Sequence, residues 1–318
     1  MVDGLDLYAT SLCERSDLVW PKPPAIEPFK AKAGSFGLKG IRCVMWGTYG
    51  TLLHVASGDL LFEHPKEFVT NLALEKTIQE FRMWGSMSRK PGQPSDSLLP
   101  IYRNLIFDLK AGSGLPGEKF PELASERVWE AVIQKLQKKD YVIDHGKYGS
   151  TIEFARKIAF FFHTALQGAN VYPGTVATIS DLASRGILQG LLGNGQCFTT
   201  AQLKWGLKNQ QPCDPEMWFC KDLCVLSGTV GARKPSNTLF QAAANAAENR
   251  GLLPEQVLHI GSKLREDLIG AKKVGFKTAL FLGDKSSSQV EASELKDPET
   301  RPDALITSHQ QLLMMLAG

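Results

Sequence analysis

The chain has 318 residues, of which 43% are hydrophobic and 22% charged, so it can form about two globular domains and is neither disordered nor of low complexity. A formal net charge of +3 is too small to indicate binding to nucleic acid or to an anionic membrane. The six cysteines are irregularly spaced, the first residues lack the basic start of a signal peptide, and the apolar run Ile158–Leu166 is too short to span a bilayer. We therefore expect a soluble, cytoplasmic protein.

The first part of the chain divides into an arm, a strand and a helical segment. Residues 1–39 carry the proline-rich run Trp20–Pro24, which favours an extended N-terminal arm over a helix. The apolar run Ile41–Trp46 predicts a buried strand that ends in the turn Gly47–Thr51. Residues 59–170 have helical periodicity and no convincing strand, which predicts an all-α segment.

From residue 171 onward, predicted helices and strands alternate. The strands are expected at Ile187–Leu192, Leu223–Leu226, Val257–Ile260 and Thr278–Leu282, and the helices at Thr175–Ser184, Thr199–Leu207, Ser236–Asn249 and Arg265–Val274. Alternation of this kind is typical of a parallel sheet with crossover helices. We predict an α/β fold, a doubly wound parallel sheet built from residues 40–58 and 171–318, with an all-α cap of residues 59–170 inserted into it. Ligands of such sheets bind beyond the carboxyl ends of the strands.

The segments that follow the predicted strands carry a family resemblance. They are Gly47–Leu52, Gly193–Gly195, Ser227 with Arg233–Pro235, and Gly261–Asp267. Their order and spacing, together with the inserted helical cap, resemble the haloacid dehalogenase (HAD) superfamily over roughly residues 40–313. Several matches in the right order are more specific than one short motif.

The resemblance implies a mechanism whose key residues are replaced in this chain. The family uses one Asp as nucleophile, a second Asp as general acid/base, a Ser or Thr that binds phosphoryl oxygens, and a further carboxylate that holds magnesium. Gly47, Tyr49, Gly193 and Ser262 stand at these positions. Glycine cannot form an aspartyl-phosphate, tyrosine is a poor acid/base near neutral pH, and magnesium prefers carboxylate ligands. We predict degenerate catalytic positions, no magnesium or other cofactor, and no metal site.

Other residues of the predicted site are retained. The resemblance implies that Lys234 neutralises a phosphoryl group and that Asp267 positions this lysine, and the two turns can direct backbone N–H groups at an anion. The predicted ligand-binding residues are Thr48, Tyr49, Asn194, Gly195, Lys234 and Asp267. Loss of the carboxylates is expected to leave Lys234 with fewer neutralising neighbours. Two interpretations stay open: an anion binds there, or Tyr49, which is larger than Asp, fills the space.

The leading hypothesis is a pseudoenzyme that binds a small anionic or phosphorylated ligand, or a protein partner, between cap and core. The first alternative is a phosphatase-like hydrolase with metal-independent chemistry, which uses Tyr49 as the nucleophile or a water activated by Asp267. The second is a structural or assembly protein, including a homo-oligomer, in which residues 1–39 and the cap surface act. No nucleic acid or membrane partner is expected. His259 alternates with apolar residues and is interpreted as a core histidine.

Overall fold

The computed structural model describes residues 4–35, 38–87, 92–112, 116–288, 290–291 and 293–316. The strands within the described residues are short, and most of their residues are buried. They are β1 (Gly34–Ser35), β2 (Cys43–Trp46), β3 (Leu53–His54), β4 (Asn170–Val171), β5 (Leu188–Gly193), β6 (Cys224–Leu226), β7 (Val257–Gly261), β8 (Lys277–Phe281) and β9 (Ala304–Ile306).

The main sheet has the strand order β1-β9-β8-β7-β2-β5-β6. β1 pairs antiparallel with β9, and the other neighbours are parallel. β2 is central and fully buried, and its Met45 lies opposite Gly190 of β5 and His259 of β7. A buried parallel strand has a continuous apolar sequence, as β2 has. β5 and β6 lie on one side of β2, and β7 and β8, which follow later in the chain, lie on the other side. The strand order therefore reverses at β2, and ligands of such folds bind beyond the carboxyl ends of the strands at this point, here β2, β5 and β7.

Helices cover both faces of this sheet. The helices are α1 (Gly4–Cys13), α2 (Glu67–Glu80), α3 (Pro94–Gly112), α4 (Ser125–Gln137), α5 (His145–Tyr148), α6 (Thr151–Leu166), α7 (Thr175–Ser184), α8 (Thr199–Gln210), α9 (Ser227–Val230), α10 (Asn237–Glu248), α11 (Ile269–Lys273) and α12 (Gln311–Met315). One buried cluster joins the sheet to Ile179 and Leu203 of α7 and α8, and another joins it to Leu239 and Phe240 of α10. The predicted doubly wound α/β fold is confirmed. Within the described residues, every helix falls short of the length and apolarity needed to cross a membrane.

A helical cap lies between β3 and β4, which pair antiparallel. Its centre is α6, which begins at a capping box formed by Ser150 and Glu153 and packs against α2 and α4. The aromatic run Phe160–Phe162 of α6 is fully buried. These phenylalanines belong to a buried cluster of the cap, whereas Phe68, Trp84 and Phe107 are exposed.

The N-terminal segment differs from the extended arm predicted for residues 1–39. Its first described residues form α1, which packs on α6 and α8. The buried side chains of α1 join the helical core of the cap and are Leu5, Ala9 and Leu12. They recur at helical spacing, but the prediction relied on prolines that begin only at Pro21. After α1 the chain is extended, and Trp20 packs edge-on against Phe161 of the cap.

Candidate functional site

A small cavity of about 70 Å³ lies at the carboxyl ends of β2, β5 and β7, beneath the cap. It brings together every position that the sequence singled out. Its lining includes Gly47, Thr48, Tyr49, Gly193, Asn194, Gly195, Lys234, Ser262 and Asp267. The candidate site is therefore formed where the strand order predicts it.

The turn after β2 is closed by backbone hydrogen bonds. Gly47 donates its N–H to the carbonyl of Ile260 in β7 at 2.7 Å, and Gly50 has φ of +77°, which suits glycine. A Cβ atom added at Gly47 would lie 2.7 Å from Oγ1 of Thr51 and 2.9 Å from the Ile260 carbonyl oxygen. A larger side chain at this position requires the backbone of β7 to move.

The second glycine position is equally tight. The Thr48 hydroxyl donates to the carbonyl of Asn194 at 2.9 Å, which joins the turns after β2 and β5. A Cβ atom added at Gly193 would lie 2.5 Å from Oγ1 of Thr48 and 3.0 Å from its backbone nitrogen. The ends of β2 and β5 thus approach each other through the space that a serine or threonine side chain would occupy.

Tyr49 forms one wall of the cavity, but its hydroxyl is engaged by α8. The hydroxyl donates to Oε1 of Gln202 at 2.7 Å and lies 3.0 Å from Oγ1 of Thr199. Burial raises the pKa of Tyr49, and the hydrogen bond with Thr199 offsets only part of this effect. The residue narrows the cavity without filling it, and its oxygen stays protonated.

Lys234 is buried and held by three partners. Its N–H donates to Oδ1 of Asn194 at 2.8 Å, and its ammonium lies 2.7 Å from Oδ1 of Asp267 and 3.2 Å from Nε2 of His259. The expected ion pair with Asp267 is present. Asp267 compensates the charge of Lys234.

The charges of His259 and Asp267 follow from this arrangement. Burial, and then the charge of Lys234, lower the pKa of His259 to about 3, so the ring is neutral. Its Nδ1–H donates to the carbonyl of Met45 at 2.8 Å, which fits the core histidine expected from the sequence. Burial alone would raise the pKa of Asp267, but Lys234 outweighs burial and the pKa is lowered. Asp267 also accepts the N–H of Lys263 at 2.9 Å.

The cap reaches into the core through residues 118–125, which we call the cap strap. Glu118 accepts the hydroxyls of Ser236 and Thr238, each at 2.7 Å. Glu122 accepts the hydroxyl of Ser227 at 2.6 Å, and burial raises the pKa of its carboxyl. These bonds tie the strap to the segments after β6.

Gln196 ties the strap to the turn after β5. Its amide group donates to the carbonyl of Leu123 at 3.0 Å and accepts the N–H of Ser125 at 2.7 Å. The N–H of Gly195 next to it donates to Oγ of Ser227 at 2.9 Å, so it is already used. In this arrangement the N–H of Gly195 is therefore directed at Ser227.

A second lysine lies at the cavity wall. The ammonium of Lys263 is 2.5 Å from Oδ2 of Asp59 and 3.8 Å from Oε2 of Glu266, and its side chain is 9% exposed. Arg233 also lines the cavity and is exposed. The cavity is lined by both signs of charge, and each of its lysines is paired with a carboxylate.

Part of the chain matches the model of a known family. The profile of a family described as HAD-hydrolase-like matches residues 231–312, which include Lys234, Ser262 and Asp267. The matched segment is about a quarter of the chain, and we call the chain HAD-like for this resemblance and for its fold. A glyceraldehyde 3-phosphate phosphatase from Methanothermobacter thermautotrophicus is 29% identical to the HAD-like chain over 111 residues. That match covers 34% of the chain and 43% of the relative, so the chain spans less than half the length of this phosphatase.

Solved structures agree with the HAD-like fold. A 2-haloacid dehalogenase from Pseudomonas syringae pv. Tomato superposes with a TM-score of 0.50 at 16% identity, covering 87% of the HAD-like chain and 98% of the dehalogenase. A defluorinating L-2-haloacid dehalogenase gives 0.47 at 17% identity, covering 92% and 100% of the two chains. At this identity the first superposition shows a common fold and nothing finer.

The HAD fold implies a magnesium ion, but the residues present do not fit one. In the described part of the HAD-like chain, no three His, Cys, Asp or Glu side chains lie together so that they can hold a metal ion. Ser262 offers a hydroxyl where the resemblance places a carboxylate. The retained Asp267 already accepts from Lys234 and from the N–H of Lys263. A hard divalent cation needs several free oxygen ligands.

Several residues of the HAD-like site were missed by sequence reasoning. Lys263 directly follows the degenerate Ser262, so its position in the motif was a usable signal. Asp59 and the cap strap carried no such signal, because they contact the site only through the folded chain. Gln196 directly follows the predicted turn Gly193–Gly195, but its contacts with the strap carried no signal either.

Proposed function

We propose that this HAD-like chain is non-catalytic and that its cleft is a closed site whose charges neutralise each other. The tight surroundings of Gly47 carry the proposal. The position implied for the nucleophile has no side chain, and the backbone of β7 and Thr51 lie where a side chain would start. The site is shaped around the missing groups, and neither magnesium nor an aspartyl-phosphate takes part.

The alternative of metal-independent hydrolysis has less support. Tyr49 needs a base to become a nucleophile, whereas its hydroxyl donates to the amide oxygen of Gln202. Asp267 is a weak base because its pKa is lowered, and both its oxygens accept hydrogen bonds. Neither residue is poised to start a reaction.

The proposal is tested by measuring phosphate release by the full chain. Suitable probes are 4-nitrophenyl phosphate and glyceraldehyde 3-phosphate, which the relative's name specifies. Each is assayed with magnesium, and again after chelation. We expect release equal to the uncatalysed rate in both conditions. Release that needs magnesium and stops on chelation contradicts the proposal, and metal-independent release that Tyr49→Phe abolishes supports the alternative.

Binding of a small inorganic anion is a second candidate function, and the position of Arg233 favours it. Arg233 lines the cavity and takes part in no ion pair among the described residues, and a guanidinium group suits a tetrahedral oxyanion. The cavity, at about 70 Å³, has the volume of roughly two waters. A phosphate-sized ligand therefore fits better than a phosphorylated metabolite.

Calorimetric titration with inorganic phosphate tests this candidate. We expect one site in the wild type, about tenfold weaker binding in Arg233→Gln because one charged hydrogen-bond donor is lost, and no change in the exposed control Lys285→Met. Equal affinity in the wild type and Arg233→Gln contradicts a role for Arg233.

A further inference from the structure

The cavity that does not fit a magnesium ion is lined by carboxyl groups and by lysines. The lining contains four carboxyl groups, Asp59, Glu122, Glu266 and Asp267. Carboxylates that face one cavity attract a cation, although the side chains of Asp59 and Glu266 are each 40% exposed. In this chain the positive charge within ion-pair distance comes from lysine side chains.

Lys263 is the less expected of the two lysines. It follows Ser262, which stands at the position implied for a metal-binding carboxylate. Its stem is buried and its ammonium lies between Asp59, at the start of the cap, and Glu266, one turn further along its own segment. Its main chain is fixed as well, because its N–H donates to Asp267 and its carbonyl accepts the N–H of Asp267 at 2.8 Å.

The partner Asp59 is also held in place. Its carbonyl accepts the Nε2 amide of Gln167 at 2.9 Å, at the end of α6. It follows Gly58, whose φ is +67° and at which an added Cβ atom would lie 2.9 Å from Cβ of Ser287. The ion pair therefore joins the cap entry to the motif after β7 through a fixed geometry.

We propose that the ammonium of Lys263 replaces the divalent cation of the cleft and excludes metal ions from it. This inference rests on the proposed loss of metal-dependent chemistry. Lys263 supplies a positive charge that the family resemblance does not imply, in addition to the retained Lys234. Each ammonium is bonded to a carboxylate, so no carboxylate pair is left free to bind a hydrated cation. Lys263 is a specificity-determining residue and does not act on a substrate.

Mn²⁺ binding to the full chain, followed by the electron paramagnetic resonance signal of free Mn²⁺, tests the proposal. Mn²⁺ accepts the same carboxylate ligands as magnesium. We expect no saturable binding in the wild type. Lys263→Met frees Asp59 and Glu266, and we expect its single-site affinity to exceed that of the wild type by at least about tenfold. Lys263→Arg retains the charge and should behave as the wild type does.

Further variants keep the proposal falsifiable. Lys263→Gln removes the charge but keeps a hydrogen-bond donor for Asp59, so it replaces Lys263→Met if thermal melting shows that variant to be unfolded. Adding Asp59→Asn to either neutral variant should abolish the gained site, and Lys285→Met should bind as the wild type does. A folded neutral variant without gained binding, or a wild type that binds as tightly, overturns the proposal.

The outcomes separate this inference from the proposed function. Saturable Mn²⁺ binding by the wild type without phosphate release contradicts the role of Lys263 alone. Phosphate release by the wild type without saturable Mn²⁺ binding contradicts the non-catalytic function and leaves the metal exclusion by Lys263 supported.

Discussion

At the residue scale, Gly47 and Gly193 stand at positions where the family resemblance implies larger side chains. Removing a catalytic side chain usually leaves a hole of its size, because surrounding atoms relax only in part. Here Thr51, Thr48 and the Ile260 carbonyl occupy the space next to the two glycines. Restoring a side chain should therefore cost stability.

Gly47→Asp should lower the free energy of unfolding by about 1–3 kcal/mol, because a side chain forced into a packed site displaces backbone and neighbours. Urea denaturation measures this change. Gly85→Asp is the matched control, since a Cβ at Gly85 meets no heavy atom within 4 Å, and its effect should stay within about 0.5 kcal/mol. Equal midpoints for the two variants would show that the site still accommodates an aspartate.

The ion pair of Lys234 and Asp267 makes a second prediction at this scale. Lys234→Met leaves the largely buried Asp267 without its cation, which should cost about 3–5 kcal/mol at neutral pH. The pKa of Asp267 is lowered in the folded chain, so its contribution is complete above the unfolded pKa of about 3.9 and is lost as pH falls through the folded value.

Denaturation curves of the wild type and Lys234→Met, taken from pH 7 downward, measure this dependence. The gap between the two proteins should be largest at pH 7 and shrink as the pH falls, because burial raises the pKa of Asp267 in the variant that lacks Lys234. A gap that is independent of acid pH would mean that the charge of Asp267 is not its source.

At the scale of elements, the N-terminal helix α1 packs into the helical core of the cap. Its buried residues belong to the helical core of the cap, so α1 is part of this chain's own fold. An assembly role for the whole segment 1–39 therefore has to compete with its intramolecular packing. The helix offers two leucines with opposite environments, since Leu12 is buried and Leu7 is 61% exposed.

Leu12→Ala should lower the free energy of unfolding by about 2–4 kcal/mol, because it leaves a cavity in the cap core. Leu7→Ala should change it by less than about 0.5 kcal/mol. Thermal and urea denaturation of both variants measure the difference. If the two substitutions have equal effects, α1 does not pack on the cap in solution.

The cap strap is the second element with a measurable role. Gln196 makes two hydrogen bonds to it, with Leu123 and Ser125, and a buried group left without its partner costs about 1–3 kcal/mol. Gln196→Ala should therefore raise the amide hydrogen exchange of the strap, while the exposed control Gln211→Ala should not. Unchanged exchange in Gln196→Ala would show that other contacts alone keep the cap closed.

Across the whole molecule, the sequence could predict those features that depend on the pattern of neighbouring residues along the chain. Strand positions, the order of the segments after them and the pairing of Lys234 with Asp267 followed from periodicity and from the family resemblance. The ion pair of Asp59 and Lys263 did not, because it joins residues 204 positions apart and depends on how the cap sits on the core. The strap contacts and the packing of α1 were hidden for the same reason.

The molecule has a HAD-like fold, and the ion pairs Lys234–Asp267 and Lys263–Asp59 lie in the cavity where the resemblance implies a magnesium site. A crystal structure of the full chain, grown with magnesium and inorganic phosphate, tests this claim most directly. The expected result is a cavity without magnesium, with Lys234 bonded to Asp267 and Lys263 bonded to Asp59. An octahedral magnesium ion with Asp267 among its ligands, or Lys263 displaced from the cavity, would contradict it.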